Sequence, residues 1–245
     1  HTTACLIIMS KLARLVVMVA MEEEAKPMIE GMGLALVDAA LPSPSPATVH
    51  SGEVDGILVS VVTPGRAPGG PTAPCLVGTD AAALTTFLAI QHLKPDAILN
   101  AGTCGGFSKQ GAGIGDVYAV CTFEHHDRRI PIPGYEALGV AKRNAACGEL
   151  IAAAVGGKVG ACTTGNSLDC PNIDRATIDT SGAVVKDMEG AAIAWAASLS
   201  STPVVGLKVV TDIVDGDKPT QEEFMANLGT AAKSLQAAVP KAVAA

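Results

Sequence analysis

The sequence predicts an α/β fold: one domain over residues 14–245, built as a three-layer α/β/α sandwich around a mixed central sheet. Three observations predict it. Short, continuous apolar runs alternate with longer segments of helical period, the pattern of strands buried on both faces with helices laid over them. Hydrophobic residues make up 49% of the chain and aromatics only 3%, so the core must come from Ala, Val, Leu and Ile, which suit closely packed helices on a sheet. The 245 residues suffice for one sizeable core, and no internal repeat divides them.

Each element follows in order. Residues 1–13 begin with His1 and are expected to form an N-terminal extension outside the core. Leu15–Ala20 (LVVMVA) is an apolar run bounded by charge, read as a buried strand. Glu22–Met32 follows as a helix with acids in its first turn, where the macrodipole favours them, and Pro27 is expected to shorten or bend it. Leu41–Ala47 (LPSPSPA) is a loop. Thr48–Ser51 and Gly56–Val62 read as a hairpin across Glu53-Val54-Asp55. Pro64–Pro74 (PGRAPGGPTAP) is a Gly/Pro loop, but a patterned helix follows at once, so it is an excursion within the domain. That helix, Thr79–Leu93, carries Leu84, Phe87 and Leu88 on one face, the face expected to pack.

Asp96–Ala101 reads as a strand running into a turn at Gly102–Gly106. Asp116–Phe123 and Val159–Thr164 are further strands, the second ending at Gly165-Asn166-Ser167. Glu189–Leu199 is a helix with no charge after its first residue, so it must be covered all round. Pro203–Val210 is a strand, Thr211–Pro219 a turn, and Thr220–Val239 a closing amphipathic helix.

The net charge is −7 with no long basic run, which argues against a nucleic-acid partner, because neutralising phosphates takes clustered Lys and Arg. The seven cysteines (Cys5, Cys75, Cys104, Cys121, Cys147, Cys162, Cys170) are odd in number and form no C-x-x-C pair. Neither a disulfide framework nor a structural zinc site is expected; they read as small buried hydrophobes in a reducing, cytoplasmic compartment. Lys11 and Arg14 interrupt the apolar stretch from Cys5 to Ala20, leaving it too short and too charged to span a bilayer. No small-residue cleavage site precedes Met21-Glu22-Glu23-Glu24, so neither a signal peptide nor a membrane partner is expected.

In such sheets ligands gather at the carboxyl ends of the strands. Four polar segments follow directly on apolar strands here: Met21–Glu24, Gly102–Gly106, Thr164–Asp169 and Thr211-Asp212. Their convergence predicts one pocket. Gly102–Gly106 admits close backbone approach to a ligand, or is a plain tight turn; it is neither a Rossmann nor a Walker loop. Cys104 within it has no His nearby in sequence, which favours packing over nucleophilic attack. Glu22, Glu23 and Glu24 also suit a helix first turn, and Asp212 and Asp215 also suit helix caps. Asp187 and Glu189 flank Met188 before the uncharged helix; capping is the plain role, but a buried, unpaired carboxylate there is costly. His125 and His126 are adjacent, point in different directions and have no third ligand at a usual spacing, so no metal is expected. The residues alone therefore reach an α/β enzyme with several carboxylates near strand ends.

Seven segments together resemble the methylthioadenosine/S-adenosylhomocysteine nucleosidases, in their plant type, within the nucleoside phosphorylase superfamily. They are VAMEEEAKPMI (Val19 to Ile29), KPDAILNAGTCGGF (Lys94 to Phe107), GIGDVYAV (Gly113 to Val120), HDRRIPIP (His126 to Pro133), TTGNSLD (Thr163 to Asp169), KDMEGAAIA (Lys186 to Ala194) and LKVVTDIVDGDKPTQEEF (Leu207 to Phe224). The resemblance implies a nucleoside phosphorylase-like fold and hydrolysis of the adenine–ribose bond of an adenosine thioether, without metal or cofactor. It implies Asp212 as the general acid that protonates adenine N7, and Glu24 as the base that deprotonates water. Glu189 would hold the ribose hydroxyls, with Met188 packed under the sugar. Thr103 and Gly105 would lie near the catalytic water and the base, with Met21 and Asp187 beside them. Leu168 and Asp169 would line the purine, Thr211 and Lys208 would support Asp212, and Phe224 would close the 5′ end. The resemblance further implies a homodimer.

The chain departs from the pattern at His125, where the plant type has an aromatic in a region that reaches the neighbouring subunit's 5′-thio pocket, and at Asn166, where the family more often has an acid. Two alternatives remain at this point. A phosphorylase would need a cationic clamp for phosphate, for which Arg66 is the one nameable residue. A storage protein of the same fold would place no demand on Glu24 or Asp212.

Overall fold

The computed structural model describes residues 5, 10 and 12–245. The strands are β1 (Arg14–Met18), β2 (Ala35–Leu36), β3 (Thr48–Val54), β4 (Ile57–Thr63), β5 (Ala97–Gly106), β6 (Val117–His125), β7 (Arg143–Asn144), β8 (Lys158–Thr164), β9 (Val185–Asp187) and β10 (Val204–Ile213). The helices, numbered over the described residues, are α1 (Glu22–Met32), α2 (Thr79–Leu93), α3 (Glu136–Val140), α4 (Gly148–Val155), α5 (Asn172–Ser181), α6 (Gly190–Ser198) and α7 (Thr220–Ala244), with one 3-10 turn at Ser108–Gln110.

The sheet is mixed, as expected. β1 lies parallel between β4 and β5, and β3 and β2 extend that wing antiparallel. At the other end the sheet closes on itself. β5 pairs with β10, β10 with β6, β6 with β8, β8 with β9, and β9 returns antiparallel to β5 at Gly105 and Gly106. This circuit gathers the carboxyl ends of β5, β8, β9 and β10, and β1 ends beside them.

Alternation along β1 shows how the two faces are filled. Val16 and Met18 join a core with Val62, Ile98, Phe123 and the buried alanines of α6. Leu15, Val17 and Val19 join the opposite core with Met28 of α1 and Leu235 and Val239 of α7. α6 is mostly covered: seven of its nine residues are buried, between the strand circuit and α2, but Trp195 and Ser198 are exposed, so the expected cover all round is not complete within the chain.

Several local expectations need correction. Gly102–Gly106 is not a turn; β5 runs through it, because β10 and β9 pair with it on either side. The hairpin turns at Asp55-Gly56, both at positive φ, so β3 extends through Val54. Asp-Gly is a two-residue hairpin signal that overrides the three-residue reading. Pro27 does not shorten α1, which spans Glu22–Met32 in full. Leu84 and Phe87 are exposed; α2 packs instead through Ala82, Thr85, Thr86, Ala89 and Ile90, small side chains that let it approach α6. β10 continues through Thr211 and Asp212, so neither begins a turn. The helix α3 and the strands β2, β7 and β9 have too few residues to show a period in the sequence, and α4 and α5 are further elements not expected from the sequence.

The N-terminal segment and the cysteines also differ from expectation. Cys5 is buried and disulfide-bonded to Cys147, and Leu12 packs against the core on the α7 side. Part of the supposed extension is thereby tied to the domain; residues 1–4, 6–9 and 11 lie outside the described residues. Cys75, Cys104, Cys121, Cys162 and Cys170 are free thiols. No helix among the described residues is long and apolar enough to cross a membrane.

Candidate active site

A cavity of about 280 Å³ opens where the strand ends converge, and its lining is largely apolar. Met21, Glu24, Thr103, Gly105, Leu168, Asp187, Met188, Glu189, Lys208, Thr211, Asp212 and Phe224 all line it. Asp169 is not among the lining residues; it is exposed beyond Leu168.

Glu24 enters from the first turn of α1 and is 2% exposed. Its Oε1 accepts hydrogen bonds from the Thr103 backbone N–H (2.7 Å) and hydroxyl (2.6 Å), and its Oε2 accepts from the Met21 N–H (3.4 Å). Burial pushes its carboxyl above the usual range, while the Thr103 donors and the Lys208 charge oppose the shift. Asp212 enters from β10 and is 3% exposed. Its Oδ1 accepts one hydrogen bond, from the Thr211 hydroxyl at 2.8 Å. Burial raises this carboxyl too, opposed by Thr211 and Lys186 and helped by Glu223.

The same cavity is lined by a buried ion pair. Lys208 Nζ stands 2.7 Å from Asp187 Oδ2, both nearly inaccessible to solvent. Asp187 also accepts from the Thr164 hydroxyl (2.5 Å) and the Gly190 N–H (2.9 Å), so it caps α6. Burial disfavours both charges, but each holds the other ionised: Asp187 sits below the usual carboxylate range and Lys208 above the usual ammonium range. Glu189, at the start of α6, accepts the Gly78 N–H at 2.8 Å. Burial and then the Asp187 charge push it up to about 7.

Lys186 lines the cavity as well and was not singled out from sequence as a site residue. It is 4% exposed and donates to the carbonyl oxygens of Ser167 (2.6 Å) and Leu168 (3.1 Å). Burial lowers its pKa, and the charges of Cys170, Asp187, Asp212 and Asp169 oppose that. The signal available was a lysine directly after the apolar run Ala183–Val185, since a buried ammonium needs partners. Gly78 gave no such signal, because the path of the preceding loop cannot be read from residues.

Other candidates take the plain role. Cys104 is buried with its thiol well above the usual range, chiefly through burial, which leaves it unreactive. Asp215 accepts from the Ser108 and Lys109 N–H groups and caps the 3-10 turn. Arg66 lies off the cavity, bound to Glu22, Glu23 and the Ala73 carbonyl oxygen. Asn166 Oδ1 accepts from the Thr79 N–H and hydroxyl at the start of α2. His125 is 3% exposed, with neither ring nitrogen hydrogen-bonded within the chain, and burial lowers it to about 4. It does not line this chain's own cavity. No group of three or more His, Cys, Asp or Glu among the described residues is placed to hold a metal.

Comparison with known proteins matches this geometry to a family. The family model described as Phosphorylase superfamily matches residues 14–244. The 5′-methylthioadenosine nucleosidase of Arabidopsis thaliana is 43% identical over 237 residues, 96% of this chain and 88% of that protein. A 5′-methylthioadenosine/S-adenosylhomocysteine nucleosidase of the same plant is 38% identical, over 95% of this chain and 91% of its own. The solved apo structure of the Arabidopsis 5′-methylthioadenosine nucleosidase superposes with a TM-score of 0.91 at 43% identity, covering 95% of both chains. With its sequence matched nearly end to end and its fold superposed, the chain belongs to the phosphorylase superfamily and, within it, to the plant-type methylthioadenosine/S-adenosylhomocysteine nucleosidases.

Proposed function

We propose that this protein hydrolyses the adenine–ribose bond of 5′-methylthioadenosine, releasing adenine and 5-methylthioribose, with S-adenosylhomocysteine a second candidate substrate. The observation that carries this reading is that Glu24 and Asp212, 188 positions apart in sequence (212 − 24), face one cavity with contrasting donors. Breaking an N-glycosidic bond builds positive charge on the sugar and negative charge on the leaving purine. On this reading Asp212, whose carboxyl burial raises against a single opposing donor, gives its proton to purine N7. Glu24, which burial raises too but three donors oppose, accepts a proton from the attacking water. The glycosidases use the same division between acid and base in their inverting mode. Glu189 supports the ribose hydroxyls, and its pKa near 7 lets it accept or donate there.

Water rather than phosphate fits the charges. The two lysines on the cavity are engaged, Lys208 by Asp187 and Lys186 by backbone carbonyls, and Arg66 is spent outside it. A phosphate anion would meet Glu24 without a free cation to hold it. The test is adenine release from methylthioadenosine with and without inorganic phosphate. Equal rates are expected; a requirement for phosphate would overturn hydrolysis.

The reading extends to a homodimer. Leu84 and Phe87 of α2, Trp195 and Leu199 around α6, and Ile132, Tyr135 and Leu138 leave large apolar side chains exposed. A second copy of the chain would cover them. Sedimentation at micromolar concentration tests this, and a monomer there would remove it.

A further inference from the structure

We propose that Lys186 is a positioning residue for the general acid, holding the Ser167–Leu168 wall and acting with Glu223 as two opposed fixed charges on Asp212. The proposal deepens the hydrolase reading and rests on it.

The register of the sheet carries the argument. Gly105 of β5 pairs with Lys186 of β9 on one side and with Asp212 of β10 on the other. Residues paired across adjacent strands project to the same face, so both side chains point to the side that Gly105 leaves bare. All three line the cavity. A Cβ on Gly105 would stand 2.8 Å from Asp212 Oδ2 and 2.5 Å from Val214 Cγ2, so the position tolerates no side chain. The missing side chain keeps residue 105 itself from standing between the lysine and the aspartate, and brings Val214 Cγ2 and Asp212 Oδ2 close over its bare Cα. Two strand spacings of about 4.8 Å set the scale of that gap, within the range where charges interact strongly away from bulk water.

Glu223 acts from α7, with its Oε1 3.8 Å from the exposed Lys218 Nζ. It lies in the first turn of α7, and its Oε2 accepts the N–H of Ile213, the residue after Asp212, at 2.9 Å. Asn227 of the same helix donates to the Thr211 carbonyl oxygen, so α7 grips the strand on both sides of the acid. The other elements around Asp212 contribute little unbalanced charge. β5 presents Gly105 and the neutral thiol of Cys104. Asp187 of β9 and Lys208 of β10 neutralise each other. Glu24 of α1 and Glu189 at the start of α6 belong to the water and ribose side of the cavity. Lys186 therefore favours the ionised form of Asp212 and Glu223 the protonated one. Their balance sets the pH up to which Asp212 still holds the proton that it must give to the purine.

The test is the pH profile of kcat/KM for adenine release by the full-length enzyme and its Lys186→Met, Lys186→Arg and Glu223→Gln variants. Removing the cation lets Asp212 keep its proton to higher pH, so the alkaline limb of Lys186→Met moves up by on the order of one pH unit. Removing the anion moves the limb of Glu223→Gln down, while the Gln oxygen still accepts the Ile213 N–H. Lys186→Arg keeps the wild-type limb, and any rise in KM in Lys186→Met reports the freed Ser167–Leu168 wall. A role confined to folding would not move the two limbs in opposite directions. Limbs that stay in place, or move together, overturn the proposal. Should Lys186→Met fail to fold, an unmoved limb in Glu223→Gln alone overturns it. A wild type that releases no adenine overturns the hydrolase reading as well, whereas an active wild type with unmoved limbs overturns only this inference.

Discussion

The two ends of the cavity hold the same functional group in two different settings. Glu24 and Asp212 are buried to nearly the same degree, 2% and 3% exposed, and burial raises both carboxyls. What separates them is the number of donors. Glu24 receives three hydrogen bonds, two of them from Thr103, and these favour the anion. Asp212 receives one, on Oδ1, and its Oδ2 faces the bare Cα of Gly105. Burial makes each carboxyl a poor anion, and the local donors oppose that more at Glu24 than at Asp212. On the proposed roles, one low-dielectric cavity would then hold a base and an acid at the same pH.

The largest effect comes from removing either end. Asp212→Asn cannot supply a proton, and turnover is expected to fall by about 10²–10⁴-fold, the usual share of a general acid. Binding of methylthioadenosine, followed by calorimetry, should persist, because the amide keeps the shape of the carboxyl. Glu24→Gln should lose turnover on a similar scale, since a neutral amide does not take a proton from water. If Asp212→Asn turned over like the wild type, the acid would have to be sought elsewhere on the cavity.

The next effect is smaller and tests the donors themselves. Thr103→Val removes the hydroxyl donor to Glu24 and keeps the backbone one. A hydrogen bond to a charged group contributes roughly 1.5–3 kcal/mol. Losing it raises the Glu24 pKa, so the base is protonated at higher pH and the acidic limb of kcat/KM moves up by about one to two units. Thr211→Val removes the one donor to Asp212 among the described residues. That also raises a pKa, but of a group needed in its protonated form, so the alkaline limb moves up. One variant narrows the active range from below and the other widens it from above. Equal limbs in both would show that donor number does not separate the two carboxyls.

The same contrast explains what was legible in the sequence. Glu24, Thr103, Glu189 and Asp212 stand at the ends of apolar strands or in the first turn of a helix, where period and position reveal them. The role of each came from the family likeness, because spacing does not say which carboxyl receives which donors. Lys186 escaped because its partners are loop backbone carbonyls, and Gly78 because it is itself a loop N–H that donates to the Glu189 carboxylate. The glycine-rich end of β5 reads locally as a turn, and only its pairing with β9 and β10 makes it a strand. Leu84 and Phe87 misled for a related reason: period identifies an apolar face, but small alanine and threonine side chains decided which face of α2 reached α6. The Cys5–Cys147 bond joins residues 142 positions apart, beyond anything that cysteine spacing shows.

The smallest effect concerns a residue that borders the base without touching the cavity. Arg66 stands 2.8 Å from Glu22 and 3.1 Å from Glu23, both half-exposed, and it also donates to the Ala73 carbonyl oxygen. It thereby ties the Gly/Pro loop to the first turn of α1, one residue from Glu24. Solvent-exposed pairs of this kind contribute little to stability, because water and salt screen them. Arg66→Ala should therefore leave the fold and the phosphate independence of adenine release unchanged and lower turnover less than any variant above. Hydrogen exchange should show faster opening of the amides around Ala67 and Leu76, whose N–H groups bond to Pro74 and Gly65 within the loop. A wild-type rate that rises with phosphate, and loses that rise in Arg66→Ala, would instead make this arginine an anion clamp and turn the Glu24 end of the cavity into a phosphate site.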